Sequence, residues 1–192
     1  MAVAVHGSTI YVADIAAHSI DRFATGDGRY LGAFGQVGSK PGTFYYPMGL
    51  AATNDGSLLV SDTMNARVQV FDQASDDSHT HTLSFGGSGN RFGDMGKPRH
   101  LAIGPDGTIF IADAEFSVIH LYNQRGQLLM FLGGPRDEPG GTPLPRGVAV
   151  AETLPDVLAS LTPSDFNAKY YLFVTNGIGY RRISLFAVGV GW

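Results

Sequence analysis

The segment that decides the fold is residues 47–72, PMGLAATNDGSLLVSDTMNARVQVFD. It contains three short apolar runs, at 49–52, 57–62 and 67–72, each of strand length and rich in Val, Leu and Phe. Asp55-Gly56 lies between the first two runs and supplies the positive φ angles that a tight hairpin needs. The segment therefore predicts consecutive antiparallel strands.

The same unit recurs four times along the chain. The run that corresponds to 57–62 ends in an Asx residue in every copy: Asp14, Asp62, Asp113 and Asn176. A further run, ending in Phe or Leu followed by Gly, closes the first three copies, and an insertion at 152–169 lengthens the last. Four short strands in about 45–50 residues make one propeller blade. We predict an all-β chain: a single β-propeller of four-stranded antiparallel blades at about 2–46, 47–97, 98–144 and 145–192.

The last repeat shows no clear fourth strand, and the first repeat has no strand before it. Three arrangements are open: a small four-bladed ring, a fragment of a longer propeller, or chains that complete each other. The third predicts self-association through the open terminal blades, because an unpaired strand edge is otherwise left exposed. The insertion, in which a short helix fits 155–161, is expected to contact a propeller face or a partner.

Composition excludes several classes of protein. The 192 residues are 44% hydrophobic and 16% charged, which excludes a wholly disordered chain. The chain has no cysteine, so it forms neither disulfides nor thiolate zinc sites. A net charge of -4 argues against a nucleic-acid partner, and no apolar run reaches the ~18–20 residues of a membrane span. We expect no nucleic-acid binding and no membrane insertion.

Several motifs resemble those of the NHL-repeat β-propellers. The blade openings are Pro47-Met48-Gly49-Leu50-Ala51-Ala52, Pro98-Arg99-His100-Leu101-Ala102-Ile103 and Pro145-Arg146-Gly147-Val148-Ala149-Val150, and the segments 35–44 and 60–71 also fit the family pattern. The resemblance implies a propeller fold. It implies no single activity, since the family includes a peptide-amidating lyase, RNA-binding modules, kinase sensor domains and many exported bacterial proteins. A bacterial source and a periplasmic or extracellular location are expectations from the resemblance alone.

The recurrent Asp14, Asp62, Asp113 and Asn176 invite a metal or acid–base interpretation. We predict a structural one, because an Asx side chain at a strand end bonds nearby backbone amides and fixes the turn. A catalytic group seldom repeats in every blade. Arg67 and Arg182 are candidate partners for these side chains or for carbonyls.

Histidines are the candidate metal ligands. His79 and His81 lie at i and i+2, on one face of a strand, with Asp76 and Asp77 nearby. His100 is expected to face the central channel, and similar blade openings in the amidating lyase provide zinc-binding histidines. Here the histidine falls one position later in the motif, and the other repeats carry none. We therefore predict no metal site and no cofactor, with His79, His81 and His100 as weak candidates only.

The channel mouth is the predicted binding region. Arg99 and Arg146 follow the opening proline of their blades, where Met48 lies in the second blade. Two guanidinium groups at one end of a channel can clamp a carboxylate or a phosphate. Met48, Arg99, His100 and Arg146 are the predicted binding residues. The aromatic run Phe44-Tyr45-Tyr46 is interpreted as a packing wedge between blades.

No nucleophile or phosphate-binding motif is present in the sequence. The sequence therefore favours a non-enzymatic scaffold that binds a protein or ligand on one rim or at the channel mouth. The alternative is a metal-assisted lyase or hydrolase with its site at the central channel.

Overall fold

The structure, a computed structural model, describes residues 2–73, 78–159 and 166–189. The first three sheets each contain four strands in sequence order. They comprise β1 Val3–His6, β2 Thr9–Asp14, β3 Ser19–Ala24 and β4 Tyr30–Phe34; β5 Pro47–Ala52, β6 Leu58–Asp62, β7 Arg67–Gln73 and β8 His79–Gly86; and β9 Pro98–Ile103, β10 Ile109–Asp113, β11 Val118–Tyr122 and β12 Leu128–Gly133.

The fourth sheet contains β13 Pro145–Ala151, β14 Ala168–Asn176 and β15 Ile183–Gly189, so it has three strands within the described residues. A short helix, α1 Asp156–Ala159, lies in the insertion between β13 and β14. Residues 160–165, which belong to the same insertion, lie outside the described residues, as do 190–192. Among the described residues, no helix has the length and apolar content needed to cross a bilayer.

Local sequence accounts for the meanders. Side chains of β2 alternate between buried and half-buried, as a two-residue period requires. The turn glycines Gly28, Gly56, Gly107 and Gly126 all have φ between +70° and +95°. Because these angles are strained for residues with a side chain, glycine at these places fixes where each hairpin reverses.

The core consists of three apolar layers, one between each pair of successive blades. The first layer joins Tyr11 and Ile20 to Leu58 and Phe71. The second joins Leu59 and Phe85 to Ile111 and Tyr122, and the third joins Phe110 and Ile119 to Leu172 and Val174. The innermost strands β1, β5, β9 and β13 lie next to one another in that order. The predicted four-bladed, all-β propeller is confirmed.

Candidate functional site

One edge of the blades brings together most of the residues that the sequence singled out. The proline that opens the innermost strand pairs with the Asx residue that ends the next strand, as in Pro47 with Asp62 and Pro98 with Asp113. The connection from the second to the third strand of each blade leaves from the same end. We call this edge the loop face; it comprises residues 14–18, 44–48, 62–66, 95–100, 113–117, 142–147 and 176–182.

Met48, Arg99 and Arg146 lie in irregularities of strand pairing at this edge. The register shifts between Pro47 and Gly49, between Pro98 and Leu101, and between Pro145 and Gly147. A β-bulge of this kind takes a side chain out of the regular alternation of the strand. The structure therefore places these three predicted binding residues at equivalent points of three adjacent inner strands.

The two arginines are not neutralised by an acid. Arg146 is exposed, and Arg99 is half-buried with an Nε that has no hydrogen-bond partner among the described residues. Neither takes part in an ion pair within the described ranges, whereas the neighbouring Lys97 lies 3.4 Å from Glu115. The loop face therefore offers two arginines that have no ion-pair partner within the described residues, beside four carboxylates: Asp14, Asp62, Asp113 and Glu115.

His100 links two blades. It is half-buried, and its Nδ1 donates a hydrogen bond of 3.0 Å to the carbonyl oxygen of Val148 on the fourth blade. Gly49 holds the equivalent position in the second blade, where a Cβ would collide with the carbonyl of Arg99. The third blade thus has room for a histidine side chain at the position where the second blade has no room for a Cβ atom.

His79 and His81 contact different partners. His79 stacks on Phe34 with ring centroids 4.6 Å apart, and its Nε2 lies 3.2 Å from Tyr11 Oη. His81 Nε2 lies 2.7 Å from Ser84 Oγ. Within the described ranges, no three His, Asp or Glu side chains are grouped to hold a metal ion. The carboxylates considered with these histidines, at 76 and 77, lie outside those ranges.

The Asx residues bind the loops of the same edge. Asp14 Oδ1 accepts the amides of Ala16 and Ala17, both at 2.8 Å. Asp62 is fully buried and accepts hydrogen bonds from four donors. They are the amide of Tyr45 at 2.6 Å and the side chains of Asn65, Arg67 and Gln69 at 2.8, 2.9 and 3.0 Å.

Asp113 has a comparable environment in the third blade. It accepts four backbone amides, those of Gly96, Lys97, Glu115 and Phe116, and its Oδ2 lies 3.2 Å from His120 Nε2. Burial alone would raise the pKa of Asp113, but the hydrogen bonds from His120 and the amides outweigh it and hold the pKa below 3.8. A carboxylate so engaged is negatively charged at neutral pH.

Asn176 completes the series in the fourth blade. Its Nδ2 donates to the carbonyl of Arg181 at 2.7 Å and to Ser184 Oγ at 2.9 Å. Arg182, a predicted partner, instead donates to the carbonyl of Gly177 over 3.4 Å. Arg67, the other predicted partner, pairs with Asp62. All four Asx side chains thus make hydrogen bonds within their own loops.

An exposed aromatic cluster lies beside Met48. Tyr45 and Tyr46 are partly exposed and contact the His18 ring, and the amide of Tyr46 donates to His18 Nδ1 at 3.0 Å. Phe44 alone of the run 44–46 packs between blades as the sequence predicts, since it is fully buried against Phe34 and Phe71. The two tyrosines belong to the surface.

Sequence reasoning did not select three other exposed residues of the loop face. Met64 and Ile178 lie about half exposed, and Tyr180 is 98% exposed. The amides of Tyr180 and Arg181 donate to Asp137 at 2.6 and 3.1 Å, which fixes the loop that carries the ring. The signal available in the sequence was a large apolar residue within each connection between second and third strands.

The opposite edge has a different character. A groove of about 710 Å³ lies there, lined in part by Asp55 and Asp72 of the second blade, Gln124 of the third and Glu152 of the fourth. Hydrogen bonds from Thr53, and then from Ser57, lower the pKa of Asp55, so this carboxylate stays charged. The groove presents carboxylates and an amide, in contrast to the arginines and aromatic rings of the loop face.

Comparison with known protein families supports the fold and the repeat. The NHL repeat family model matches residues 44–71, which contain Tyr45, Tyr46 and Met48. "Protein brain tumor" of Drosophila melanogaster is 30% identical over 102 residues, which are 52% of this chain and 10% of that protein. The chain thus spans a small part of this relative. The predicted resemblance to NHL-repeat propellers is confirmed.

Solved structures share the architecture. The hydrazine synthase of Kuenenia stuttgartiensis superposes with a TM-score of 0.63 at 17% identity, covering 97% of this chain and 45% of that one. A streptogramin B lyase superposes with a TM-score of 0.57 at 13% identity, covering 98% and 54%. The chain therefore spans about half of each of these two chains. At these identities the likeness is one of fold alone.

Proposed function

We propose that this chain is a non-enzymatic NHL-like propeller module that binds a protein partner through the loop face. The proposal is carried by one observation, the presence at that edge of exposed aromatic and methionine side chains together with one exposed and one half-buried arginine. These are Tyr45, Tyr46, Met64, Tyr180, Arg99 and Arg146. Residues of these types are enriched at the centres of protein interfaces and among the positions that dominate binding energy.

The charge of the face indicates the kind of partner. Arg99 and Arg146 have no ion-pair partner within the described residues, so they are available to a carboxylate from outside. Tyr45, Tyr46 and Tyr180 offer rings that bury apolar area at a small entropic cost. The matching partner is an acidic segment of a protein that carries one or two apolar anchor residues.

NHL repeats often mediate protein binding, which agrees with this use of the loop face. The match to the Drosophila protein covers 10% of its length, so its own activity and partners are not transferred. A bacterial source and export are parts of the proposal that rest on the family resemblance. Self-association through the terminal blades is the other partner interaction that we propose.

The alternative function is a metal-assisted lyase or hydrolase at the central channel. It would need three protein ligands around a metal ion. No grouping of three ligand side chains is found within the described ranges. The observations on the loop face therefore favour the binding module.

The test is selection of peptides from a displayed random library on the immobilised chain. We expect the selected peptides to combine Asp or Glu with Leu, Phe or Trp. Their binding should fall at least tenfold in the double variant Arg99→Ala/Arg146→Ala and in Tyr180→Ala, since each hot-spot truncation costs about 2 kcal/mol or more. Arg125→Ala is the matched control, because Arg125 is an exposed arginine on the opposite edge.

Two results would contradict the proposal. One is the selection of peptides without acidic residues whose binding is unchanged by the loop-face variants. The other is an equal loss of binding in Arg125→Ala, which would move the binding surface to the opposite edge. Circular dichroism of each variant separates a loss of contact from a loss of fold.

A further inference from the structure

Two arginines of the fourth blade lie beside one glycine of the loop face. Arg146 stands in the bulge that opens β13, and a Cβ on Gly177 would lie 2.7 Å from its Nε. Arg182 Nη1 donates to the carbonyl oxygen of Gly177 over 3.4 Å. Both arginine side chains are exposed, and neither forms an ion pair within the described residues. Gly177 thus has two guanidinium groups beside it that no carboxylate neutralises.

Comparison with the second blade shows what Arg182 lacks. The carbonyl of Arg182 accepts the amide of Asn176 over 2.8 Å, so this arginine lies opposite the Asx residue of its blade, as Arg67 lies opposite Asp62. In the second blade the guanidinium donates to the Asp62 carboxylate over 2.9 Å. In the fourth blade the Asx residue is an uncharged amide. The fourth blade therefore keeps the arginine of this pair without the carboxylate.

The side chain of Asn176 does not hold Arg182 in another way. Asn176 is 7% exposed, and its Nδ2 donates to the carbonyl of Arg181 and to Ser184 Oγ. Its Oδ1 has no hydrogen-bond partner among the described residues. The guanidinium group of Arg182 is therefore not engaged by the Asx side chain of its own blade, and it remains available to a ligand.

The loop that carries Arg182 is fixed by other contacts. The amides of Tyr180 and Arg181 donate to the two carboxylate oxygens of Asp137 at 2.6 and 3.1 Å. The charge of Asp137 acts on Arg181 and Arg182, but Asp137 forms no ion pair within the part of the chain that the structure describes. A loop that is already ordered loses little conformational entropy when it binds a ligand.

We infer that Arg146 and Arg182 bind the phosphate monoester of a phosphorylated side chain in the partner protein. Each guanidinium presents a planar fork of N–H donors. A carboxylate has two oxygens and one negative charge, whereas a phosphate monoester has three terminal oxygens and a charge of about -1.5 to -2 at pH 7. The phosphate can therefore bond both forks and balance both charges. The inference rests on the proposed function for the class of partner, and it makes one acidic group of the partner segment a phosphate.

The first experiment uses phenyl phosphate, with benzoate as the matched carboxylate. Nuclear magnetic resonance of the arginine Nε–H groups follows the titration of the whole chain. We expect phenyl phosphate to shift the signals of Arg146 and Arg182 and to bind about tenfold more tightly than benzoate, because it can bond both forks. The matched control is Arg125→Ala, which removes an equal charge at the opposite edge and should leave the binding of phenyl phosphate unchanged.

Variants then test each arginine. Arg146→Gln and Arg182→Gln should each weaken the binding of phenyl phosphate about tenfold, since each removes one charged fork. Arg182→Lys should weaken it less than Arg182→Gln, because lysine keeps the charge and loses the planar fork. Asn176→Asp should also weaken it, because the carboxylate gives Arg182 the partner that Arg67 has. Circular dichroism checks the fold, and the variants of the exposed Arg182 carry the test if Asn176→Asp does not fold.

The second experiment uses the peptides selected on the immobilised chain. Each acidic residue of a selected peptide is replaced in turn by phosphoserine, and binding is measured by fluorescence anisotropy. We expect phosphoserine at one position to tighten binding about tenfold. The gain should disappear in Arg182→Gln and should remain in Arg125→Ala.

The outcomes separate this inference from the proposed function. If acidic peptides bind the loop face and phosphoserine improves none of them, the inference is wrong and the proposed function stands. If phenyl phosphate binds at the two arginines but no peptide binds the chain, the proposed function is wrong and the site takes a free phosphate. Equal binding of benzoate and phenyl phosphate would also overturn the inference. So would single-stranded RNA that binds in place of phosphopeptides and is lost in Arg146→Gln/Arg182→Gln, since the anion would then be a nucleic-acid backbone.

Discussion

Arg67 lies directly opposite Asp62 in the pairing of β6 with β7, and its Nε donates to Asp62 Oδ2 over 2.9 Å. The carboxylate is fully buried and the guanidinium nearly so. The same guanidinium also donates to the carbonyls of Lys40 and Thr43, at 3.0 and 3.1 Å. The pair thus ties the connector between the first two blades to the turn of the second, and it supports the loop that carries Tyr45.

Replacement of Asp62 by alanine should destabilise the protein strongly. The change leaves the buried side chain of Arg67 without its carboxylate and removes the acceptor of Gln69 and of the Tyr45 amide. Breaking one partner of a buried ion pair costs about 3–5 kcal/mol. The free energy of unfolding in urea measures the loss.

Asp14→Ala is the control. Its expected loss is about 1 kcal/mol, because Asp14 is half-buried and accepts hydrogen bonds from two exposed amides. Equal losses would contradict the structural role assigned to Asp62.

Asp113 should make the protein acid-sensitive. Its pKa in the folded state lies below the ordinary 3.8, so the folded state favours the charged form. The resulting stability is fully present above pH 3.8 and is lost as the pH falls through the folded pKa. Asp113→Asn should lower the free energy of unfolding at pH 7 and should flatten its fall below pH 4.

Unfolding in urea between pH 7 and pH 3 measures this difference. The range from pH 7 to pH 5 is the internal control, because Asp113 is ionised there in both the folded and the unfolded state. A variant whose stability falls below pH 4 as steeply as that of the unsubstituted chain would show that Asp113 is not the group responsible.

The fold could be predicted because its determinants are local and repeated. Asp55-Gly56 and Asp106-Gly107 each reverse the chain through a glycine at positive φ, and the apolar runs between them have strand length. The three blade openings share one motif, which predicts that Arg99 and Arg146 lie at the same edge of the blades. The structure places them there. These inferences need no knowledge of which blade packs on which.

The remaining features depend on contacts between distant parts of the chain. His79 is half-buried because its ring stacks on Phe34 of the first blade, a contact that the sequence around the histidine does not indicate. Tyr180 is exposed because the loop is held by Asp137, which is 43 residues away in sequence. The burial of Leu50 depends on the packing of the second blade against the first, which no local pattern reveals.

Two tyrosines should ionise only at high pH. Burial, together with the charges of Asp113 and Asp94, raises the pKa of Tyr122 to about 12, and burial together with Asp106 raises that of Tyr170 to about 12. Because both values lie above the ordinary 10, their contribution to stability is present below pH 10 and is lost as the pH rises towards 12. An ultraviolet difference titration should therefore show an ionisation step near pH 12.

Tyr122→Phe should reduce this step, and Tyr122→Phe/Tyr170→Phe should reduce it further. Tyr30→Phe is the control, because Tyr30 is exposed on an outer strand, and it should leave the step near pH 12 in place. A double variant that keeps the full step would show that other groups produce it.

Gly49→Ala should separate the second blade from the third. A Cβ at this position would collide with the carbonyl of Arg99 and would lie 2.9 Å from Ser61 Oγ. Since the colliding atom is backbone of the adjacent inner strand, one of the two strands must move. Overpacking of this kind typically costs about 1–3 kcal/mol. Gly26→Ala is the matched control, because a Cβ there meets no atom within 4 Å. The control should unfold at the same urea concentration as the unsubstituted chain or slightly above it.

The displacement caused by Gly49→Ala would also move Arg99 on the loop face. Gly49→Ala should therefore also weaken the binding of the selected peptides to the chain. If Gly49→Ala and Gly26→Ala had equal stability, the close approach of β5 to β9 on which this argument depends would be wrong.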